Sequence, residues 1–224
     1  MDNSNFIRYP IESSIALRTN YILYPLSMGE LMIALQKAQY NILPQVASSV
    51  SPYASLPGMQ SLGAKGTNVV WMDVDNQIIK ILGVTPDSIS STFSELEDII
   101  KNIVSNLDEY RYFYETTSKY FIKTEKNPLI TMGKISFSDK IIQNFENIFK
   151  QNIKLYGIRV CSETESANKP NWFNLLLEPV GPKSENTFIF ESVFRNEDKH
   201  KVHIHLTNIE YQIDELIESL ENYE

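Results

Sequence analysis

Cysteine is nearly absent from this chain. Its 224 residues include one, Cys161, so no intrachain disulfide can form, and a reducing, cytoplasmic compartment is expected. Long apolar runs are missing as well. No stretch approaches the roughly 18 consecutive apolar residues that a membrane helix needs, so no membrane span is expected. The opening Met1-Asp2-Asn3-Ser4-Asn5 has no basic region and no apolar run behind it, which is not the form of a secretory signal. Positive charge is also in short supply. Twenty Lys and Arg face 28 Asp and Glu, for a net charge of −8. That balance opposes nonspecific binding to nucleic acid or anionic lipid. The segment 208–224 carries Glu210, Asp214, Glu215, Glu218, Glu221 and Glu224 with no Lys or Arg.

Catalytic signatures are missing in the same way. There is no nucleophile elbow, no GxGxxG, no HExxH and no pair of CxxC motifs. Gly58 and Gly63 have the separation of a phosphate loop, but Ala64 stands where the motif needs Lys, and Gly66 follows Lys65. The segment also precedes a strand, whereas a phosphate loop follows one and opens a helix. Cys161 has no recognisable catalytic partner.

The chain does have the means to fold. It is 42% hydrophobic and 21% charged, which excludes disorder as the overall state and suits one large domain or two small ones. Ile11–Leu26 reads as a strand. Ser27-Met28-Gly29-Glu30 has the form of a capping box, with Leu31, Leu35 and Ala38 behind it at helical spacing. The segment from Pro44 to Asn68 is rich in Pro, Gly, Ser and Ala and reads as a long irregular loop. Val69–Val84 reads as a hairpin turned at Asp75-Asn76-Gln77. Thr85-Pro86-Asp87 opens a helix whose apolar stripe is Ile89, Phe93, Leu96, Ile100, Val104 and Leu107.

The remainder repeats this order. Tyr110–Lys123 reads as a strand and Asn127–Gly133 as a breaker segment. Ser138-Asp139 caps a helix whose apolar face is Ile141, Ile142, Phe145, Ile148 and Phe149. Strands are expected over Lys154–Ser162, Asn171–Glu178, Thr187–Arg195 and Lys201–Leu206. Thr207-Asn208-Ile209-Glu210 has the capping form S/T-x-x-E ahead of a last helix, with Ile209, Ile213, Leu216, Ile217 and Leu220 inward.

These elements predict an α+β protein of two topologically similar halves, 1–108 and 109–224, either as separate units or as one continuous domain, with antiparallel strands and helices on one face. The order resembles the pseudo-duplicated sheet-and-helix arrangement of TATA-binding-protein-like and helix-grip folds. That resemblance implies an architecture and no function.

Four groups of residues are candidates for chemistry. Tyr53, Met59 and Lys65 in the 44–68 loop, with Trp71 on the strand behind it, are expected binding residues if that loop closes as a lid. His203 and His205 would share a strand face and could take a divalent metal, although structural sites need four ligands and catalytic ones usually three. Asp73 and Asp75 form D-x-D beside Trp71, which suits Mg²⁺ or a turn. Tyr110, Tyr112 and Tyr114 would share a face that could stack bases, but the local basic excess is only one residue. The function expected is a noncatalytic binding or interaction module without a cofactor. The alternatives are a metal-dependent hydrolase using His203 and His205, and nucleic-acid binding on an aromatic sheet face. Apolar positions on both faces of the second-half strands predict a homodimer.

Overall fold

The structure, a computed structural model, describes residues 6–19, 27–42, 59–73, 75–135, 139–153, 155–163, 169–181 and 186–222. In chain order its elements are β1 (Ile7–Thr19), α1 (Met28–Lys37), β2 (Asn41–Ile42), β3 (Met59–Lys65), β4 (Asn68–Asp73), β5 (Ile78–Gly83) and α2 (Pro86–Ile103). There follow α3 (Leu107–Tyr110), β6 (Arg111–Lys123), α4 (Pro128–Lys134), α5 (Asp139–Phe149), β7 (Ile158–Cys161), β8 (Trp172–Pro179), β9 (Thr187–Asn196), α6 (Lys199–Thr207) and α7 (Ile209–Glu221).

Among the described residues, all nine strands form one antiparallel sheet in the order β2-β3-β4-β5-β1-β6-β9-β8-β7. The long central strands β1 and β6 pair from Ile7↔Lys123 to Thr19↔Arg111, with register shifts at Pro10/Glu12 and Arg18/Thr19. The outermost strands β2 and β7 have two and four residues, so little unpaired backbone is left at the edges to recruit another chain.

Period-two alternation gives the sheet one helix-covered face. Ile15, Leu17, Val70, Met72, Ile79 and Ile81 point into a buried cluster with Leu31 and Leu35 of α1 and with Ile89, Phe93, Leu96 and Ile100 of α2. A second cluster joins Tyr120, Ile122, Leu177, Phe188 and Phe190 to Met132 of α4 and to Ile209, Ile213 and Ile217 of α7. The clusters do not divide cleanly by chain half, since Tyr114, Val202 and Leu206 belong to the first and Phe6 to the second. Small polar side chains occupy the centre of the sheet. Ser13 Oγ donates to Ser118 Oγ at 3.3 Å, and Thr116 Oγ1 donates to the Ser14 carbonyl at 2.9 Å. Buried hydroxyls are tolerated here because each finds a partner.

Local chemistry accounts for most element boundaries. Ser27 Oγ accepts from the Glu30 amide at 3.4 Å and starts α1. At α2, Pro86 occupies the first turn and Asp87 sits near the positive dipole end, while the Thr85 side chain makes no capping bond. Asn68 ties β4 to α2: its Nδ2 donates to Ser88 O, Ser88 Oγ and Thr92 Oγ1 at 3.1, 2.8 and 2.7 Å. A Cβ on Gly83 would overlap Asn68 Oδ1, so the neighbouring strand needs glycine at that point.

Several expectations need correction. The irregular loop expected over Pro44–Asn68 contains a strand, β3, and its segment 44–58 lies outside the described residues. β1 begins at Ile7, before the expected Ile11, and residues 20–26 of the expected strand Ile11–Leu26 lie outside the described residues. Asn127–Gly133 is mostly helix, because Asn127 Oδ1 accepts from the Leu129 amide at 2.9 Å and Pro128 takes the first helical position. Lys201–Leu206 is helix, not strand. Asp198 Oδ1 accepts from the His200 amide at 2.9 Å, and Val202 and Leu206, four apart, are both buried. Thr207 does not cap α7, since its hydroxyl donates backward to His203 O at 3.0 Å. The apolar face expected to bury α5 is uncovered: Phe145, Ile148 and Phe149 are 46%, 67% and 62% exposed.

Candidate functional site

The sheet face turned away from the helices carries the candidate site. By strand register it presents Ser14, Ala16 and Arg18 of β1, Trp71 and Asp73 of β4, Ile78 and Lys80 of β5, and Glu115 and Thr117 of β6. A cavity of about 90 Å³ opens on this face, lined by Ser14, Trp71, Asp73, Lys80, Glu115 and Thr117, with Ala16 and Ile78 as its apolar wall. The Ser14 and Thr117 hydroxyls share a hydrogen bond of 2.7 Å. Glu115 is ion-paired with Arg195 Nε. Asp73 caps the β4–β5 turn, its Oδ1 accepting from the Asn76 amide at 2.9 Å and its Oδ2 from Asn76 Nδ2 at 2.8 Å. Lys80 makes no ion pair or hydrogen bond among the described residues. The Trp71 indole N–H is buried and has no partner among the described residues.

Beside the cavity the face becomes a guanidinium–aromatic stack. Arg195 lies 5.0 Å from the ring centroids of both Phe113 and Trp172. Arg18 lies 5.6 Å from Phe113 and makes no ion pair or hydrogen bond among the described residues. Farther along the same face Ile7, Tyr9 and Phe121 are 56%, 49% and 37% exposed, and the register places Tyr9 directly opposite Phe121.

The residues expected to bind do not all come together. Trp71 lines the cavity. Lys65 belongs to the helix side, where its Nζ donates to Glu95 Oε1 and Oε2 at 2.6 and 2.8 Å and to the Ala38 carbonyl at 3.3 Å, 5.1 Å from the Tyr40 ring centroid. It fastens β3 and the end of α1 to α2. Met59 pairs with Asp73 across the β3–β4 ladder. Tyr53 lies outside the described residues.

His203 and His205 do not share a face. Two positions on a helix are separated by about 200°, and their neighbours differ accordingly. His203 Nδ1 meets Ser90 Oγ of α2, and His205 Nε2 lies 3.2 Å from Ser192 Oγ of β9 with its ring stacked on Phe194. No group of three or more His, Cys, Asp or Glu among the described residues is placed to hold a metal ion. The D-x-D pair divides as well, Asp73 serving the turn and Asp75 standing exposed.

The Tyr110–Tyr112–Tyr114 face is also reassigned. Tyr110 ends α3, and Tyr114 is buried on the helix side, where its hydroxyl donates to Glu97 Oε1. Lys199 Nζ donates to Glu97 Oε2, and Lys101 Nζ stands 3.7 Å from Oε1. Burial pushes the Glu97 carboxyl up. The hydrogen bonds from Lys199 and Tyr114 and the charges of Lys199 and Lys101 outweigh it and hold the carboxyl below its ordinary value. This network ties α2 to β6 and α6 in the core and faces away from the cavity.

The stacked imidazole of His205 yields a pH dependence. Burial lowers its pKa from 6.5 to about 4. The unfolded chain therefore binds this proton more readily than the folded one. The stabilising contribution of neutral His205 is fully present above about pH 6.5 and is lost as the pH falls toward about 4. His203 is lowered too, by burial and then by the charge of Lys199, and acts in the same direction. The stability lost through His205 between pH 7 and pH 5 is expected to be about 2 kcal/mol. Urea midpoints at the two pH values, compared between the native chain and His205→Gln, measure it. An unchanged pH slope in the variant removes the assignment to His205.

No protein-family model and no curated protein sequence matches this chain. No helix among the described residues is long and apolar enough to cross a membrane.

Proposed function

We propose that this protein is a noncatalytic binding module that uses the helix-free sheet face, with the cavity at Trp71 as its centre. The observation that carries this reading is the cavity itself. It gathers groups from four strands, β4, β5, β1 and β6, including a lysine with no counter-ion and an indole N–H with no acceptor among the described residues. Buried or half-buried polar groups with unused capacity cost stability unless something meets them. Rigid strands also hold such a constellation more precisely than loops do.

An architecture built twice would explain why the site sits at the middle of the sheet. The orders β3-β4-β5-β1 and β7-β8-β9-β6 correspond strand for strand, and β1 and β6 meet antiparallel at the centre. On this reading the halves are repeats of a β-α-β-β-β-α unit, and the cavity lies against their junction. A fragment screen followed by amide chemical shifts tests the functional reading. Perturbations grouped on β1, β4, β5 and β6 support it, and hits confined to the helix side or to no region overturn it.

A second reading, self-association through the second half, has its own observation in the uncovered α5. Phe145, Ile148 and Phe149 form a solvent-facing apolar stripe. The helix carries Asp139, Lys140 and Glu146, with Lys150 immediately behind it, so its charges balance. An anionic membrane surface is better matched by a cationic polar face, which leaves a protein surface as the better match. The expected partner is a second copy, in the two-fold arrangement commonest among soluble oligomers. Light scattering at micromolar concentration is expected to give about twice the chain mass of 25.8 kDa, falling to one chain mass in Phe145→Glu/Phe149→Glu. A native mass of 25.8 kDa sinks this reading.

A further inference from the structure

The cavity's charges identify the chemistry of what fills it, if the binding-module reading is right. Five charged groups stand at or beside it, of which Arg18 lies against Phe113 and is not part of the cavity lining. Glu115 and Arg195 neutralise each other. Asp73 and Lys80 both line the cavity and are not in ion-pair contact with each other or with any other described residue. Asp73 is 5% exposed, and its two hydrogen bonds come from the neutral Asn76. A half-buried cation and a buried anion thus line one small space without touching. In a site partly shielded from water each charge gains by acquiring a counter-charge. A ligand of one sign serves only one of them and leaves the other as it was. A ligand carrying both signs, a few ångströms apart, serves both.

Size narrows the class further. About 90 Å³ equals about three water molecules at their liquid volume of ~30 Å³, the space taken by glycine or alanine. The Ser14–Thr117 hydroxyl pair adds donors and acceptors, and Ala16, Ile78 and the Trp71 ring suit a methyl group better than a polar or long side chain. We infer that the cavity binds a small free amino acid, its carboxylate held by Lys80 and its ammonium by Asp73. The hydroxyls of Ser14 and Thr117 complete its hydrogen bonding, and Trp71 covers its side chain.

Trp71 and Trp172 are the two tryptophans of the chain, so Trp172→Phe leaves a single indole that reports on the cavity. In that variant L-alanine, propionate and ethylamine are titrated against Trp71 fluorescence. The first carries both charges and each of the others carries one. L-Alanine is expected to give a saturable change and to bind at least tenfold more tightly than either analogue. Adding Lys80→Met is expected to weaken alanine at least tenfold and to leave ethylamine unchanged, while Lys80→Arg, which keeps the cation, retains alanine binding. Propionate or ethylamine binding as tightly as alanine overturns the amino-acid assignment, and so does the absence of a saturable response to alanine. Fragment perturbations on β1, β4, β5 and β6 in the same protein then show that the site itself survives, and their absence there shows that the binding-module reading has failed with it.

Discussion

Leu96→Ala is expected to lower the stability of the fold by about 2–5 kcal/mol, the range for removing a buried leucine side chain. Leu96 is fully buried in α2, in one cluster with Ile15 and Leu17 of β1, Leu35 of α1 and Phe93 of the same helix. The spread within that range depends on how far the surroundings collapse into the vacated space. Here one wall is a hydrogen-bonded sheet and another is a second helix, so collapse is limited and the upper part of the range is expected. Urea denaturation of the purified variant measures the loss. Ile204→Ala on the exposed side of α6, at 44% exposure, supplies the reference and should change stability by less than about 0.5 kcal/mol. A Leu96→Ala loss as small as that would mean α2 does not pack on the sheet.

Glu97→Ala, one residue along, should be nearly as costly for a different reason. Its carboxylate is 3% exposed and is the acceptor for both Tyr114 Oη and Lys199 Nζ. Removing it leaves a buried hydroxyl without an acceptor and an ammonium without its counter-charge. Breaking a buried pair costs about 3–5 kcal/mol. Lys199 retains 31% exposure and recovers part of that from water, so about 2–4 kcal/mol is expected. Glu97→Gln preserves the shape and an acceptor for Tyr114 and should cost less. A double-mutant cycle with Lys199→Met separates the ion pair from the packing. If Glu97→Ala and Glu97→Gln are equally mild, below about 0.5 kcal/mol, the network contributes nothing to stability.

These two neighbours mark the limit of what was legible in the sequence. Leu96 belongs to a stripe whose 3.6-residue period is visible in any window of α2, and its opening Thr85-Pro86-Asp87 announces where the helix starts. Glu97 lies between stripe positions and would pass for a surface residue; only the arrival of Tyr114 and Lys199 from other elements makes it internal. Misread elements have equally local causes. Asn127-Pro128 is the same start signal as Thr85-Pro86, hidden because the helix behind it is short. In α6 the run Val202, Ile204, Leu206 alternates like a strand, but Val202 and Leu206 are buried and Ile204 is not, which is the helical spacing. The site was less legible than the fold. Trp71 stands out as one of two tryptophans, whereas Lys80, Ser14, Glu115 and Thr117 are ordinary strand residues until the order β4-β5-β1-β6 lays them side by side.

The central pairing of β1 with β6 also sets a schedule for synthesis. Ile7 leaves the ribosome well before its ladder partner, Lys123. Its other neighbour, β5, pairs with residues 13–18 of β1. One whole edge of β1 therefore emerges early and waits for roughly 100 further residues, about 5–20 s at ordinary elongation rates. During that interval the nascent chain presents an unpaired strand containing Ile15, Ala16 and Leu17 to its surroundings. Efficient production should depend on shielding that edge, by a chaperone or by fast elongation through β6, more than on the stability of the finished sheet.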